Sequence, residues 1–387
     1  MASLLLAIIY IAFISLGLPD AILGSAWPSM YPEMQVPVSY AGIVSMIISL
    51  GTTSSSLMSD RVIRRFNTHA VTAFSVGLTT VALLGFSTAG AYWQLCLWAV
   101  PYGLGAGSVD AALNNYIALH YESRHMNWLH CFWGIGAMLG PYIMGAYLTN
   151  HLRWNNGYLT IGILQAVLAA GLLLSRPLWK VSNTVRAEEG VQQTGMTLRQ
   201  TLGLPGAKAI FIAFFCYCTV EVTTSLWASS YFVLNRNVSE DTAASWASLF
   251  FVGITLGRML SGFVSDRAGD RNMVRLGQGI ILVGILCVVL PLRVYVALAG
   301  FFIIGLGCAP VYPCMLHETP VRFGADKSQA VMGMQMATAY VGSMFMPSVF
   351  GMLSEWTGIS ALPYYLLLFT VLMFVTVEFS NRRAGRK

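Results

Sequence analysis

Charged residues are scarce in this chain of 387 residues: they make up 10% of the sequence, whereas 56% of the residues are hydrophobic. A soluble globular domain typically contains about 25% charged residues, so the composition argues against a soluble protein. The N-terminal segment also lacks a basic stretch before its apolar run, and that run is too long for a cleavable signal peptide. We therefore interpret the segment as a membrane-spanning helix.

Catalytic motifs are lacking as well. The sequence contains no recognisable nucleophile–base pair, metal-ligand spacing or phosphate-binding loop, so we expect neither an enzyme nor a bound metal or organic cofactor. All seven cysteines fall inside apolar stretches, where they are typical of packing residues and not of a disulfide framework. The net charge of +6 is explained by its distribution along the chain and does not indicate nucleic-acid binding.

A series of long apolar runs is what the sequence does contain. Each run is roughly 20 residues long, which is enough to cross a bilayer as an α-helix. We predict an all-α membrane protein with twelve transmembrane helices, at 3–30, 38–59, 69–89, 92–118, 128–150, 155–175, 207–234, 243–265, 274–292, 294–316, 329–352 and 361–380. Because six helices precede and six follow the longest polar stretch, we expect two pseudo-symmetric six-helix bundles, 1–176 and 207–387, joined by a cytoplasmic linker at 177–206.

Basic residues are distributed unevenly between the predicted loops. With the N-terminus inside, the inner segments hold 18 of the 22 Lys and Arg residues, the outer loops hold three, and Arg258 lies within a span. Basic residues favour the cytoplasmic side of a membrane, so we expect both termini in the cytoplasm. We expect a monomer in a bacterial cytoplasmic membrane.

Two loops share a charged pattern at a separation of about half the chain. The segment "SLMSDRVIRRF" at 56–66 and the segment "GFVSDRAGDRN" at 262–272 both contain Ser-Asp-Arg followed by a second Arg four residues later. Such loops either latch the inner ends of two bundles through ion pairs or are solvated loops that only set the topology. We interpret them as a gating set, Asp60, Arg61, Arg65, Asp266, Arg267 and Arg271, and as evidence of a duplicated bundle.

These loops resemble the signature loop of the major facilitator superfamily, Gly-x-x-x-Asp-Arg/Lys-x-Gly-Arg-Arg/Lys. The second copy keeps Gly262, Asp266, Arg267, Gly269 and Arg271, whereas the first copy lacks both glycines. The resemblance implies two six-helix halves that expose a central site alternately to the two sides of the membrane.

Four ionisable residues lie well inside predicted spans: Asp20, Asp110, Glu221 and Arg258. A charge at the centre of a membrane helix costs roughly 2.5–3.5 kcal/mol on insertion scales, so we expect these residues to face an aqueous cavity. We interpret Asp20 and Asp110 as proton-coupling residues and Glu221 as a third candidate, with a structural hydrogen bond to a neighbouring helix as the alternative. Arg258 either pairs with a carboxylate or reaches the cytoplasmic side, and we assign it to gating.

Amides and aromatic rings accompany the intramembrane acids. Such side chains suit a ligand with many hydroxyl groups, but they equally suit an organic cation. The predicted substrate contacts are Trp27, Asn114, Asn115, His130, Trp133, Tyr217, Trp227 and Tyr312.

One segment supports the sugar alternative through a narrower resemblance. The sequence "GAGSVDAALNNY" is similar to the fourth-helix pattern of the fucose–proton symporter family, Gly-x-x-x-x-Glu-x-x-x-Asn-x-Tyr. Gly105, Asp110, Asn114 and Tyr116 match it, with Asp in place of Glu. The resemblance implies a hexose-like sugar imported with protons. A proton-driven drug or metabolite antiporter and a sodium-coupled sugar carrier remain the alternatives.

Overall fold

The computed structural model describes residues 2–120, 123–179 and 198–384, and every regular element within these ranges is helical. The helices are α1 (Ala2–Asp20), α2 (Ile22–Glu33), α3 (Tyr40–Thr88), α4 (Tyr92–His120), α5 (Ser123–Thr149), α6 (Trp154–Leu174), α7 (Arg176–Trp179), α8 (Leu198–Gly203), α9 (Ala207–Arg236), α10 (Glu240–Ala268), α11 (Asp270–Val289), α12 (Val294–His317), α13 (Thr319–Phe323), α14 (Ala325–Thr357) and α15 (Leu362–Ala384). A 3-10 turn, Ile359–Ala361, precedes α15.

The predicted all-α membrane architecture is confirmed. Ten helices among the described residues are long and apolar enough to cross a membrane. The predicted spans 38–59 and 92–118 fall on the first part of α3 and on α4, and both of these helices contain side chains outside the described residues. All twelve predicted spans therefore lie on helices.

Three predicted spans do not each form one separate helix. The first predicted span is broken at Ala21, so that Asp20 is the last residue of α1. Pro19 weakens the helix at this point because it has no backbone N–H and its ring crowds the preceding turn. In contrast, α3 contains two predicted spans, which meet at a kink at Asn67, whose φ is 62°. The Asn67 side chain accepts a hydrogen bond from the Ala70 N–H at 3.0 Å and so caps the second of these helices.

The described chain forms two compact units. The first unit contains 2–120, 123–179 and 228–251, and the second contains 198–227 and 252–384. The last part of α9 and the first part of α10 thus belong to the first unit. The division into bundles at a linker 177–206 stays a prediction, because most of that linker lies outside the described residues.

Glycines let the helices of the first unit pack backbone against backbone. A Cβ atom at Gly17 would overlap the carbonyl oxygen of Trp133, and one at Gly136 would overlap that of Ile14. Small residues permit this approach in membrane helices, where close packing replaces the hydrophobic driving force. The contact brings the end of α1, and with it Asp20, next to Trp133 of α5.

Equivalent glycine contacts recur in both halves of the sequence. In the first unit, Gly51 of α3 packs on Gly103 of α4, and a Cβ atom at Gly51 would lie 3.1 Å from the Gly103 backbone. In the second unit, Gly257 of α10 packs on Ala309 of α12. Each of these residues lies 206 positions after its counterpart in the first half. The second and fourth spans of both halves therefore meet at matching positions, as expected for a duplicated bundle.

Substitution of Gly136 tests the packing of α1 on α5. We expect Gly136→Ala to destabilise the purified protein by about 1–3 kcal/mol, because the added methyl group overlaps backbone atoms. The matched control is Gly171→Ala on α6, where a Cβ atom would contact nothing within 4 Å. Thermal unfolding in detergent, followed with a thiol-reactive dye, measures both. Equal midpoints for the two variants would contradict the packing described here.

Candidate functional site

Asp20 is the centre of a hydrogen-bonded group in the first unit. The Tyr102 hydroxyl donates to Asp20 Oδ1 at 2.8 Å, and the Trp133 indole N–H donates to Asp20 Oδ2 at 2.8 Å. Asp20 is exposed, whereas its neighbours Pro19 and Ala21 are buried. Three helices, α1, α4 and α5, thus surround a carboxylate whose side chain stays exposed.

The two donors have different surroundings. Tyr102 is buried at 3% exposure, and its ring contacts Phe86 edge-on at 6.5 Å. Trp133 is half-buried and meets the ring of Phe251 at 6.3 Å. Tyr102 is absent from the sequence-based site. Its only sequence signal is that it precedes Asp110 by eight residues, about 12 Å along the axis of α4.

Asp110 lies on α4 in the same unit and is half-buried. Its Oδ1 accepts a hydrogen bond from Asn114 Nδ2 at 2.9 Å, one helical turn further on. The charge of Asp20 acts on Asp110, so the structure brings the two predicted proton-coupling acids into electrostatic contact. Neither acid forms an ion pair with a residue that the structure describes.

Glu221 belongs to the second unit and has a different environment. Arg258 Nη2 lies 3.8 Å from Glu221 Oε1, and both side chains are mostly buried, at 19% exposure for Arg258 and 18% for Glu221. Tyr217 lies one turn before Glu221 on α9 and contacts the ring of Tyr312 at 5.8 Å. Arg258 was predicted either to pair with a carboxylate or to reach the membrane surface, and the structure has it in the pair.

The remaining predicted substrate contacts occupy diverse positions. Trp27 is fully buried and donates to the Val38 carbonyl at 2.7 Å, and Trp227 is fully buried and donates to the Pro347 carbonyl at 3.0 Å. Both indoles are therefore engaged in packing and are enclosed by protein. His130 is half-buried with its ring edge-on to Phe13 at 6.1 Å. The side chain of Asn115 lies outside the described residues.

The predicted gating residues are only partly described. The side chains of Asp60, Arg61 and Asp266 lie outside the described residues. Arg65 stands over the ring of Phe66 at 5.5 Å, and Arg267 is exposed. Their assignment to gating stays a prediction.

Arg271 enters an ion-pair network that the sequence did not reveal. It donates to Glu318, which is buried at 7% exposure and also accepts from Arg322 at 2.6 Å. Arg322 further donates to Ser380 and Asn381 of α15. Burial lowers the pKa of the Arg322 guanidinium, and the neighbouring Glu318 opposes that change. The spacing of Glu318 and Arg322, four residues apart, was the available sequence signal.

The polar contacts at the start of α10 were also not predicted from the sequence. In the first unit, the Ser29 hydroxyl donates to Glu240 at the start of α10, and the Thr149 hydroxyl donates to Asp241 at 3.3 Å. A Cβ atom at Gly145 would overlap the Ser245 hydroxyl. Helices α2 and α5 therefore contact α10 through hydroxyl and carboxylate groups. No His, Cys, Asp and Glu cluster suited to a metal ion occurs among the residues that the structure describes.

The Glu318 network generates a stability prediction. We expect Arg322→Met to lower the free energy of unfolding by about 1–3 kcal/mol, because it removes one of the two arginines that pair with a buried carboxylate. The control is Arg275→Met, which removes the partner of Glu378 from a pair whose arginine is 47% exposed and which should cost only about 0–1 kcal/mol. Thermal unfolding of both purified variants measures the difference, and similar losses would show that the Glu318 network is not special.

The chain is similar in sequence to known membrane transporters along most of its length. The family model described as Major Facilitator Superfamily matches residues 9–236 and 209–386. The chain is 23% identical to Bypass of stop codon protein 6 of Saccharomyces cerevisiae, over 96% of this chain and 80% of that protein. It is 22% identical to the Glucose/mannose transporter GlcP of Bacillus subtilis, over 79% of this chain and 77% of that protein.

A solved structure has a similar fold. The crystal structure of a mutant of the peptide transporter POT in complex with alafosfalin superposes with a TM-score of 0.76 and 12% identity, covering 98% of this chain and 95% of that chain. At this identity the likeness shows the fold alone.

Proposed function

Because the chain belongs to the major facilitator superfamily, we propose that it is a proton-coupled importer of a hexose-like sugar that works by alternating access. In this proposal Asp20 and Asp110 carry the coupling proton. The protein is not an enzyme and uses no cofactor other than the coupling ion. It acts as a monomer with both termini in the cytoplasm.

The observation that carries the proposal is the absence of a fixed cation beside Asp20 and Asp110 among the described residues. An ionised carboxylate inside a membrane span is costly unless its charge is neutralised. A proton delivered from water neutralises it reversibly, and in our proposal the exposed side chain of Asp20 is reached from an aqueous cavity. Uptake and release of that proton can therefore accompany each transport cycle.

The groups around Asp20 favour a proton over sodium as the coupling ion. Hard metal cations are bound by several oxygen acceptors. The two side chains that contact the Asp20 carboxylate, Tyr102 and Trp133, are both hydrogen-bond donors to it. Their hydrogens point toward the position that a metal cation would occupy, which disfavours sodium there.

The charges of the second unit support a neutral solute. Its intramembrane cation, Arg258, is paired with Glu221, so an anionic substrate would have to displace that carboxylate. Half-buried polar groups and rings, including Asn114, His130 and Trp133, suit the hydroxyl groups and the apolar face of a sugar. The similarity to a protein named a glucose/mannose transporter agrees with this substrate class.

Neutralisation of Asp110 tests the coupling role. We expect Asp110→Asn in proteoliposomes to abolish proton-driven accumulation of sugar, because the amide cannot bind the proton. Counterflow exchange should continue, since it needs no net proton movement. Asp20→Asn should behave in the same way, and Glu355→Gln, which alters an exposed acid on α14, is the control. Undiminished accumulation by Asp110→Asn would remove Asp110 from the mechanism.

The substrate class is tested with the unmodified protein. Addition of a transported hexose to proteoliposomes should alkalinise the external medium, because protons enter with the sugar. Sodium at constant pH should not raise the rate of uptake. Stimulation by sodium would favour the sodium-coupled carrier. Protection of cells against cationic drugs without any sugar uptake would favour a drug antiporter.

A further inference from the structure

The Asp20 carboxylate has a separate hydrogen-bond donor on each oxygen. Tyr102 of α4 donates a hydrogen bond to Oδ1, and Trp133 of α5 donates one to Oδ2, both at 2.8 Å. In the ionised state both donors are satisfied, since a carboxylate accepts hydrogen bonds on both oxygens. Addition of a proton changes this arrangement, because one oxygen then carries a hydrogen that needs an acceptor of its own.

The two donors respond differently to that proton. An indole N–H can only donate, whereas a phenolic hydroxyl can both donate and accept. A proton on Oδ2 would compete with the hydrogen bond from the Trp133 N–H, and the indole has no acceptor to offer it. A proton placed on Oδ1 would face the Tyr102 oxygen, which can accept it once the hydroxyl hydrogen has rotated away.

Packing restricts the movement that protonation requires. The α1–α5 contact at Gly17 fixes the backbone of Trp133 against α1, so the indole can leave Asp20 only by a change of its own side-chain rotamer. The Tyr102 ring is buried against Phe86, but rotation of its hydroxyl hydrogen displaces no heavy atom. Reversal of one hydroxyl is therefore a smaller change than displacement of the indole.

Few other titratable groups act on this site. Helix α4 contributes Tyr102 and Asp110, and Tyr158 of α6 acts on Tyr102. Helix α5 contributes the indole of Trp133, which does not titrate, and His130 lies one turn earlier with its ring against Phe13. Of the two described side chains that donate to the Asp20 carboxylate, Tyr102 is therefore the one that can also accept a hydrogen bond from its protonated form.

We propose that Asp20 is protonated on Oδ1 alone, with Tyr102 reversing from donor to acceptor and Trp133 holding Oδ2 as an acceptor in both states. The step forms one O–H bond on Oδ1 with a proton from water and breaks no bond in Tyr102. Trp133 is then a positioning residue that orients the carboxyl group throughout the cycle. This inference rests on the proposed role of Asp20 in proton uptake.

Infrared difference spectroscopy of the reconstituted protein tests the inference without any substrate. The C=O stretch of protonated Asp20 is identified as the band that Asp20→Asn removes. In Trp133→Phe this band should move to a higher wavenumber, because the carbonyl oxygen has lost its donor. In Tyr102→Phe the band should stay near its original wavenumber.

Trp128→Phe is the matched control, because Trp128 lies on the same helix with its ring near Phe132 and is 51% exposed. It should leave both the band and its pH dependence unchanged. An unshifted band in Trp133→Phe, or an equally large shift in Tyr102→Phe, would overturn the assignment of roles. If Trp133→Phe does not fold, Tyr102→Phe alone decides between the outcomes. Absence of any Asp20 band between neutral and acidic pH would instead refute proton uptake by Asp20, and with it the proposed coupling.

Discussion

The free-energy cost of an ionised carboxylate inside a bilayer is the constraint on which the proposed transport mechanism of this protein depends. Asp20 and Asp110 lie in apolar helices, and none of the ion pairs among the described residues includes them. In our proposal, hydrogen-bond donors, water and a mobile proton stabilise their charge. Tyr102 and Trp133 supply the donors at Asp20. The helix breaks at Ala21, and the side chain of Asp20 is exposed.

Close helix packing makes this arrangement possible. Trp133 reaches Asp20 because glycines at Gly17 and Gly136 allow α1 and α5 to meet at their backbones. The duplicated halves share their glycine contacts but differ in charge. In the second unit the acid Glu221 already has a cationic neighbour, Arg258. The repeat therefore preserves the scaffold, whereas the charged residues have diverged, and this divergence assigns proton binding to the first unit in our proposal.

Much of the fold was predictable because membrane helices are encoded locally. Each apolar run predicted a helix, since a backbone in lipid must satisfy its own hydrogen bonds. The repeat was visible from Gly51 and Gly257, and Asp20 and Asp110 were recognised because charge is rare in such runs. Tyr102 was missed, since a tyrosine in an apolar helix carries no distinguishing signal until its partner is known. Trp27 and Trp227 were expected at the substrate, but their N–H groups serve backbone carbonyls.

The sequence by itself determined the helical class, the number of spans, the family resemblance and the identity of the costly intramembrane charges. These properties depend on composition and on short segments, which a linear pattern records. The tertiary structure decided which donors meet Asp20, which cation meets Glu221, and how Glu318 joins Arg271 to Arg322. Those contacts join residues distant along the chain, and their geometry depends on how closely the helices approach, which no local pattern contains.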